Sequence, residues 1–162
     1  MNSTADLIRA SLLSTRKELA EVFPHLSDDI LGWAPAEEMR TIKGQIKEII
    51  GTEIQIMDRL QGKPKHPYSK IEEDLDSLNT VNELIEMLTT VRTETLQFLE
   101  SRTEEDLAAS VEVSADTASY MELEQVPLSE MLRYLVRHES YHHGQLVSYL
   151  WAKGNNPYTW DS

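Results

Sequence analysis

The fold is decided by the stretch at residues 128–153, LSEMLRYLVRHESYHHGQLVSYLWAK. Leu128, Leu132, Leu135, Leu146 and Leu150 fall on one side of a helical wheel, the period of an amphipathic helix with one buried stripe. Pro127 suits a first helical turn, and Gly154 with Pro157 marks the end. The same stretch holds three of the chain's five histidines. His138 and His142 are four apart, so a helix stacks both imidazoles on one face. His142 lies just inside an edge of the apolar stripe and His138 further out, with Tyr134, Gln145 and Tyr149 on the same edge. Two imidazoles so placed suit one divalent metal, or equally two polar histidines on a solvated helix.

Three further helices are legible outward from this one. The spacing of Ile8, Leu12, Thr15, Leu19 and Val22 predicts a helix over 4–22, capped by Ser3 with Asp6 as an acidic capping-box partner and ended by Pro24. A short turn is expected over 27–31. Ile42, Ile46, Ile49, Ile50, Ile56, Met57 and Leu60 predict a helix over 41–61, stopped by Gly62 and Pro64. Residues 63–78 read as a polar connection over an end of the molecule. Thr80 and Glu83 make a capping box for a helix over 81–101, with Val81, Leu84, Leu88, Val91, Thr95, Phe98 and Leu99 inward. Val111 and Val113, then Met121 and Leu123, alternate with polar residues and point to a short hairpin. Four long amphipathic helices pack most readily as an all-α, antiparallel four-helix bundle, a single domain over 1–162.

Composition narrows the function. The 162 residues carry a net charge of −13 and no cysteine. A surface this acidic repels phosphate backbones and anionic lipid, so neither nucleic acid nor membrane is an expected partner. Without cysteine there is no disulfide and no thiolate ligand or nucleophile. The start lacks a signal-peptide pattern and no apolar run has the length of a membrane span, so a cytoplasmic location is the default. Six glycines form no phosphate loop, and no nucleophile-elbow pattern is present. His25 and His66 read as solvated loop residues, and Trp33, Trp151 and Trp160 as packing at helix ends or a subunit contact.

A metal that does chemistry needs a third protein ligand and an open position. On the second helix Gln45, Glu48, Thr52 and Gln55 form a polar edge beside the apolar stripe, and Glu48 is its ligand-capable member. Glu48, His138 and His142 are the candidate metal set, with Gln45, Thr52, Tyr134, Gln145 and Tyr149 as candidate pocket lining. Two carboxylates, Glu53 and Glu139, fall in the middle of apolar stripes. Unpaired and buried they would be costly, so a buried polar network with His143, which is four residues from Glu139, is expected. Glu53 remains an alternative to Glu48 as ligand. No general base is assignable.

These residues resemble the DinB family, damage-inducible four-helix-bundle proteins related to metal-dependent bacillithiol and mycothiol S-transferases. The family's last helix carries H-x-x-x-H-R-G-Q-L, matched by His138, His142, Gly144, Gln145 and Leu146, with His143 in place of the arginine. Trp33-Ala34-Pro35 ahead of Thr41-Ile42 is similar too. The family's second-helix pattern, a histidine followed five residues later by Glu, aligns with Glu48 to Glu53. That puts Glu48 where the family has its first histidine ligand. The resemblance implies a bundle that binds Zn²⁺, Ni²⁺ or Fe²⁺, commonly as a homodimer. A metal-dependent enzyme of this kind would act on a small molecule, with a low-molecular-weight thiol or water as nucleophile, in S-transfer or hydrolysis. The alternative is a non-catalytic binding or stress-response module with a degenerate metal site.

Overall fold

The computed structural model describes residues 3–64, 67–114, 118–119 and 122–160. Four long helices carry the architecture: α1 (Thr4–Ala20), α2 (Ile42–Leu60), α4 (Val81–Glu100) and α6 (Leu128–Ala152). Between them lie α3 (Tyr68–Asp76), α5 (Glu104–Ala108), and a two-stranded antiparallel hairpin of β1 (Ser110–Glu112) and β2 (Gln125–Pro127). Single 3-10 turns follow α1, at Phe23–His25 and Asp28–Ile30, and another closes the chain at Pro157–Thr159. The expected all-α bundle with a small hairpin is what forms. Among the described residues no helix is long and apolar enough to cross a membrane.

Local chemistry sets the helix ends. Ser3 and Asp6, and Thr80 and Glu83, make reciprocal capping boxes at the starts of α1 and α4. Gly62 ends α2 in the left-handed region (φ 67°), with its N–H on the Arg59 carbonyl and the Lys63 N–H on that of Asp58. This is a Schellman stop, for which glycine's freedom at positive φ is suited.

The core gives the direction of each helix. One apolar cluster joins Leu19, Ile42, Ile46, Leu84, Leu88, Leu146 and Leu150. The other joins Ile8, Leu12, Ile56, Met57, Leu99, Leu128 and Leu132. The late part of α1 therefore meets the early parts of α2 and α4 and the late part of α6. So α1 and α6 run one way, and α2 and α4 the other. The link from α2 to α4 must then travel the length of the bundle. It does so as α3, whose Ile71 and Leu75 are buried against the first cluster. The expectation of a polar connection over an end is corrected here: an Ile71–Leu75 pair at i, i+4 was sufficient for a two-turn helix along the side.

The hairpin also differs in register. Val111 pairs with Val126, so the second strand is Gln125–Pro127 rather than the Met121–Leu123 stretch. Leu123 is exposed, and Met121 lies outside the described residues, as does His66. His25 is stacked on Trp160 at 4.2 Å rather than free in solvent.

The two mid-stripe carboxylates lie at the centre of the bundle. Glu53 and Glu139 are each 1% exposed. Arg92 of α4 donates to both, and so does Arg16 of α1, while Thr95 adds its hydroxyl to Glu53. One charged side chain from each long helix thus meets its opposites. Burial pushes the Glu53 carboxyl up, but Arg92 and Arg16 outweigh it and hold it below the ordinary carboxylate range. His143 takes no part in this network among the described residues, because both arginines already occupy Glu139.

Candidate metal centre

The site lies where α6 faces α2. His138 and His142 point into this cleft one helical turn apart, with their Nε2 atoms 3.2 Å from each other. His142 is 3% exposed. Its Nδ1 bonds the side-chain oxygen of Gln45, whose amide nitrogen in turn donates to the Tyr149 hydroxyl at 3.0 Å. With Nδ1–H donating to that oxygen, His142 presents a bare Nε2 lone pair to the cleft. The Thr52 hydroxyl is 3.4 Å from His138 Nε2, and Tyr134 stacks beside the His138 ring.

Both imidazoles are held neutral. Burial, helped by neighbouring His142 and Arg40, lowers His138 to about 4. Burial also lowers His142, against a smaller upward pull from Glu48. Neutral rings are the form that binds metal.

The spacing of the two nitrogens bears on that use. Nitrogens about 2.05 Å from one tetrahedral centre stand roughly 3.3 Å apart, close to the 3.2 Å found. The Gln145 side-chain oxygen adds a second sign. It is buried without a hydrogen bond of normal geometry among the described residues, the His142 ring being a donor within its reach, and an acceptor so weakly satisfied has capacity left for a ligand or water.

Glu48 is on the opposite wall. It lines the same cavity as His138, a volume of about 350 Å³ bounded also by Thr52, Gln55, Arg59, Tyr68 and Tyr134. Its carboxylate is engaged elsewhere: the Tyr68 hydroxyl donates to it at 3.0 Å and Arg40 pairs with it at 3.1 Å. Among the described residues no three His, Asp or Glu side chains converge on one point. The histidine pair therefore fits a metal as it stands, and Glu48 fits only after leaving Arg40 and Tyr68. Glu53, the alternative ligand, is fully occupied by arginines in the bundle centre.

Of the remaining site residues read from sequence, Thr52 and Tyr134 lie on the cavity wall. Gln45 and Tyr149 stand behind His142, 2% and 4% exposed, and act through it. Gln145 donates to the Tyr141 hydroxyl. Sequence reasoning missed Tyr68, Arg40 and Arg59. Tyr68 was hidden with α3. The available signal was Gly51, where an added Cβ would come within 2.9 Å of the Tyr68 hydroxyl. Only a residue without a side chain lets that ring lie across α2 and reach Glu48.

A four-helix bundle with an inward histidine pair on its last helix and a carboxylate across the cleft defines the class of fold to which the chain belongs. The chain belongs to the DinB family, whose model matches residues 1–162. Solved structures are similar in fold. The sibling lethal factor precursor DfsB aligns with a TM-score of 0.71 at 16% identity, over 95% of this chain and 98% of that one. An uncharacterised Escherichia coli protein aligns at 0.67 and 14%, over 96% and 95%. A DinB-like protein from Bacillus subtilis aligns at 0.63 and 21%, over 91% and 92%. At such identities the likeness is one of fold alone. No curated protein sequence matches the chain.

Proposed function

We propose that the cleft between α2 and α6 is a divalent-metal site, with His138 and His142 as two ligands and Glu48 as the third. The protein is then a metal-dependent enzyme acting on a small molecule, by S-transfer from a low-molecular-weight thiol or by hydrolysis. The observation that carries this reading is the pair of neutral imidazoles with facing Nε2 atoms at 3.2 Å. Bound there, Zn²⁺, Ni²⁺ or Fe²⁺ would act as a Lewis acid that lowers the pKa of a thiol or water. The chain's own residues do the rest. Gln45 fixes the tautomer and tilt of His142 and is itself held by Tyr149. Tyr134 packs beside His138 and limits water there. The absence of cysteine makes any thiol a cosubstrate from outside. The family pattern supports a homodimer, and the net charge of −13 supports a partner that is neither nucleic acid nor membrane.

A second reading draws on Glu48 being bound to Arg40 and Tyr68. If that pairing is permanent, the bundle is a non-catalytic module with a degenerate site. Thermal melts and calorimetric titrations with Zn²⁺, Ni²⁺ and Fe²⁺ separate the two. The metal reading expects a raised melting temperature, abolished in His138→Ala and His142→Ala and reduced in Glu48→Ala. No shift with any of the three metals would leave the module reading.

A further inference from the structure

The cleft has a second end with its own chemistry. Glu48, Thr52, Gln55 and Arg59 recur along one face of α2 and line the cavity, while Met131, Tyr134 and His138 face them from α6. Thr52 is the α2 residue opposite His138. Arg59 lies seven residues further on, about 10 Å along the helix axis. The wall between is apolar at Ile56 and Met131.

Arg59 differs from the other arginines. Arg9, Arg16, Arg40, Arg92, Arg133 and Arg137 each pair with a carboxylate, and Arg102 lies over the Phe98 ring. The Arg59 guanidinium has no ion pair, hydrogen bond or ring contact among the described residues, and the neighbouring Asp58 is taken by Lys63. In a chain with 28 acidic residues against 15 basic ones, a half-buried guanidinium left without a carboxylate is unusual. Its place in the last turn of α2 complements the helix dipole, yet a lysine would do that equally. The guanidinium adds a planar fork suited to a carboxylate.

We propose that Arg59 is the anion anchor of this cleft, and that its ligand is a small organic acid whose carboxylate pairs with Arg59 while the other end of the molecule reaches His138. The inference rests on the proposed function for what happens at the histidine end, and it names the substrate class. A free carboxylate here replaces water on a cation that has no carboxylate partner among the described residues. The apolar stretch between the two ends accepts a short alkyl chain.

The test is isothermal calorimetry with mercaptohexanoate and its neutral counterpart mercaptohexanol, on metal-free and Zn²⁺-treated protein. Wild type is expected to bind the acid about ten-fold more tightly than the alcohol in both states, the scale of one charge-assisted contact. Arg59→Gln removes that preference without changing the melting temperature or Zn²⁺ uptake, and Arg59→Lys keeps part of it. Equal affinity for acid and alcohol, no binding of the acid, or a preference that survives Arg59→Gln overturns the proposal. The last would arise if Arg40 or Arg137 held the carboxylate. Acid preference without Zn²⁺ uptake leaves the anchor standing and removes the metal reading. Zn²⁺ uptake without acid preference does the reverse.

Discussion

At the scale of single residues, metal affinity would turn on how firmly Glu48 is held. Its partner Arg40 is 56% exposed at the side chain. An ion pair with one member so open to solvent is worth no more than about 1 kcal/mol, and the Tyr68 hydrogen bond adds about as much. Together these are small beside a metal–carboxylate bond, so a bound metal draws Glu48 away. Arg40→Gln combined with Tyr68→Phe is therefore expected to tighten Zn²⁺ binding by roughly ten-fold, read by competition with a chromogenic chelator. Unchanged or weaker binding would mean that Glu48 is not a ligand. His138 supplies a second residue-scale prediction. Its folded pKa of about 4 lies below the unfolded value near 6.5, so the unfolded chain binds more protons between those limits. Metal-free protein is then fully stabilised above pH 6.5 and loses stability as pH falls toward 4, by up to about 3 kcal/mol. His138→Gln should flatten that stretch of the urea-denaturation profile.

At the scale of elements, α3 and α2 are matched through Gly51. Glycine inside a helix costs about 1 kcal/mol relative to alanine, so Gly51→Ala would stabilise an isolated α2. Here the new Cβ would meet the Tyr68 hydroxyl at 2.9 Å and its ring at 3.1–3.2 Å, and forced overpacking costs about 1–3 kcal/mol. Gly51→Ala should therefore lower the melting temperature in the native background and raise it in a Tyr68→Ala background. A rise in both would show that the ring moves aside freely. The elements also show what the sequence made legible. The four long helices were readable because each carries a stripe of four or more apolar positions at helical period. The crossover helix α3 was not, because its buried face is only Ile71 and Leu75 among acidic residues, too short for periodicity to outweigh polarity. Residues 104–108 hid α5 for the same reason, with Leu107 its one buried side chain. The hairpin was placed correctly in its first strand and too early in its second, since alternation in so short a run does not fix register.

At the scale of the whole molecule, the Arg16–Glu53–Arg92–Glu139 cluster ties α1, α2, α4 and α6 together at the bundle centre. The need for a buried network was evident from two carboxylates on apolar stripes. Its cations were missed because arginine is ordinarily a surface residue. Arg16 and Arg92 nevertheless stand four residues after Leu12 and Leu88, on the inward faces. Removing one member strands the others: Glu53→Leu should cost about 3–5 kcal/mol in chemical denaturation, whereas replacing all four charges by apolar residues of similar volume should be near neutral. A small cost for the single change would mean that water reaches the cluster. Glu139 follows His138 directly in sequence, so this cluster also sets the rotation of α6 that aims both imidazoles at α2.

The most direct measurement is a crystal structure of protein grown with Zn²⁺, with anomalous data collected at the zinc edge. The account predicts one peak within bonding distance of both His138 Nε2 and His142 Nε2, with the Glu48 carboxylate turned from Arg40 toward it. Density empty at that point, the two imidazoles still bonded to each other and Glu48 still on Tyr68, would contradict it.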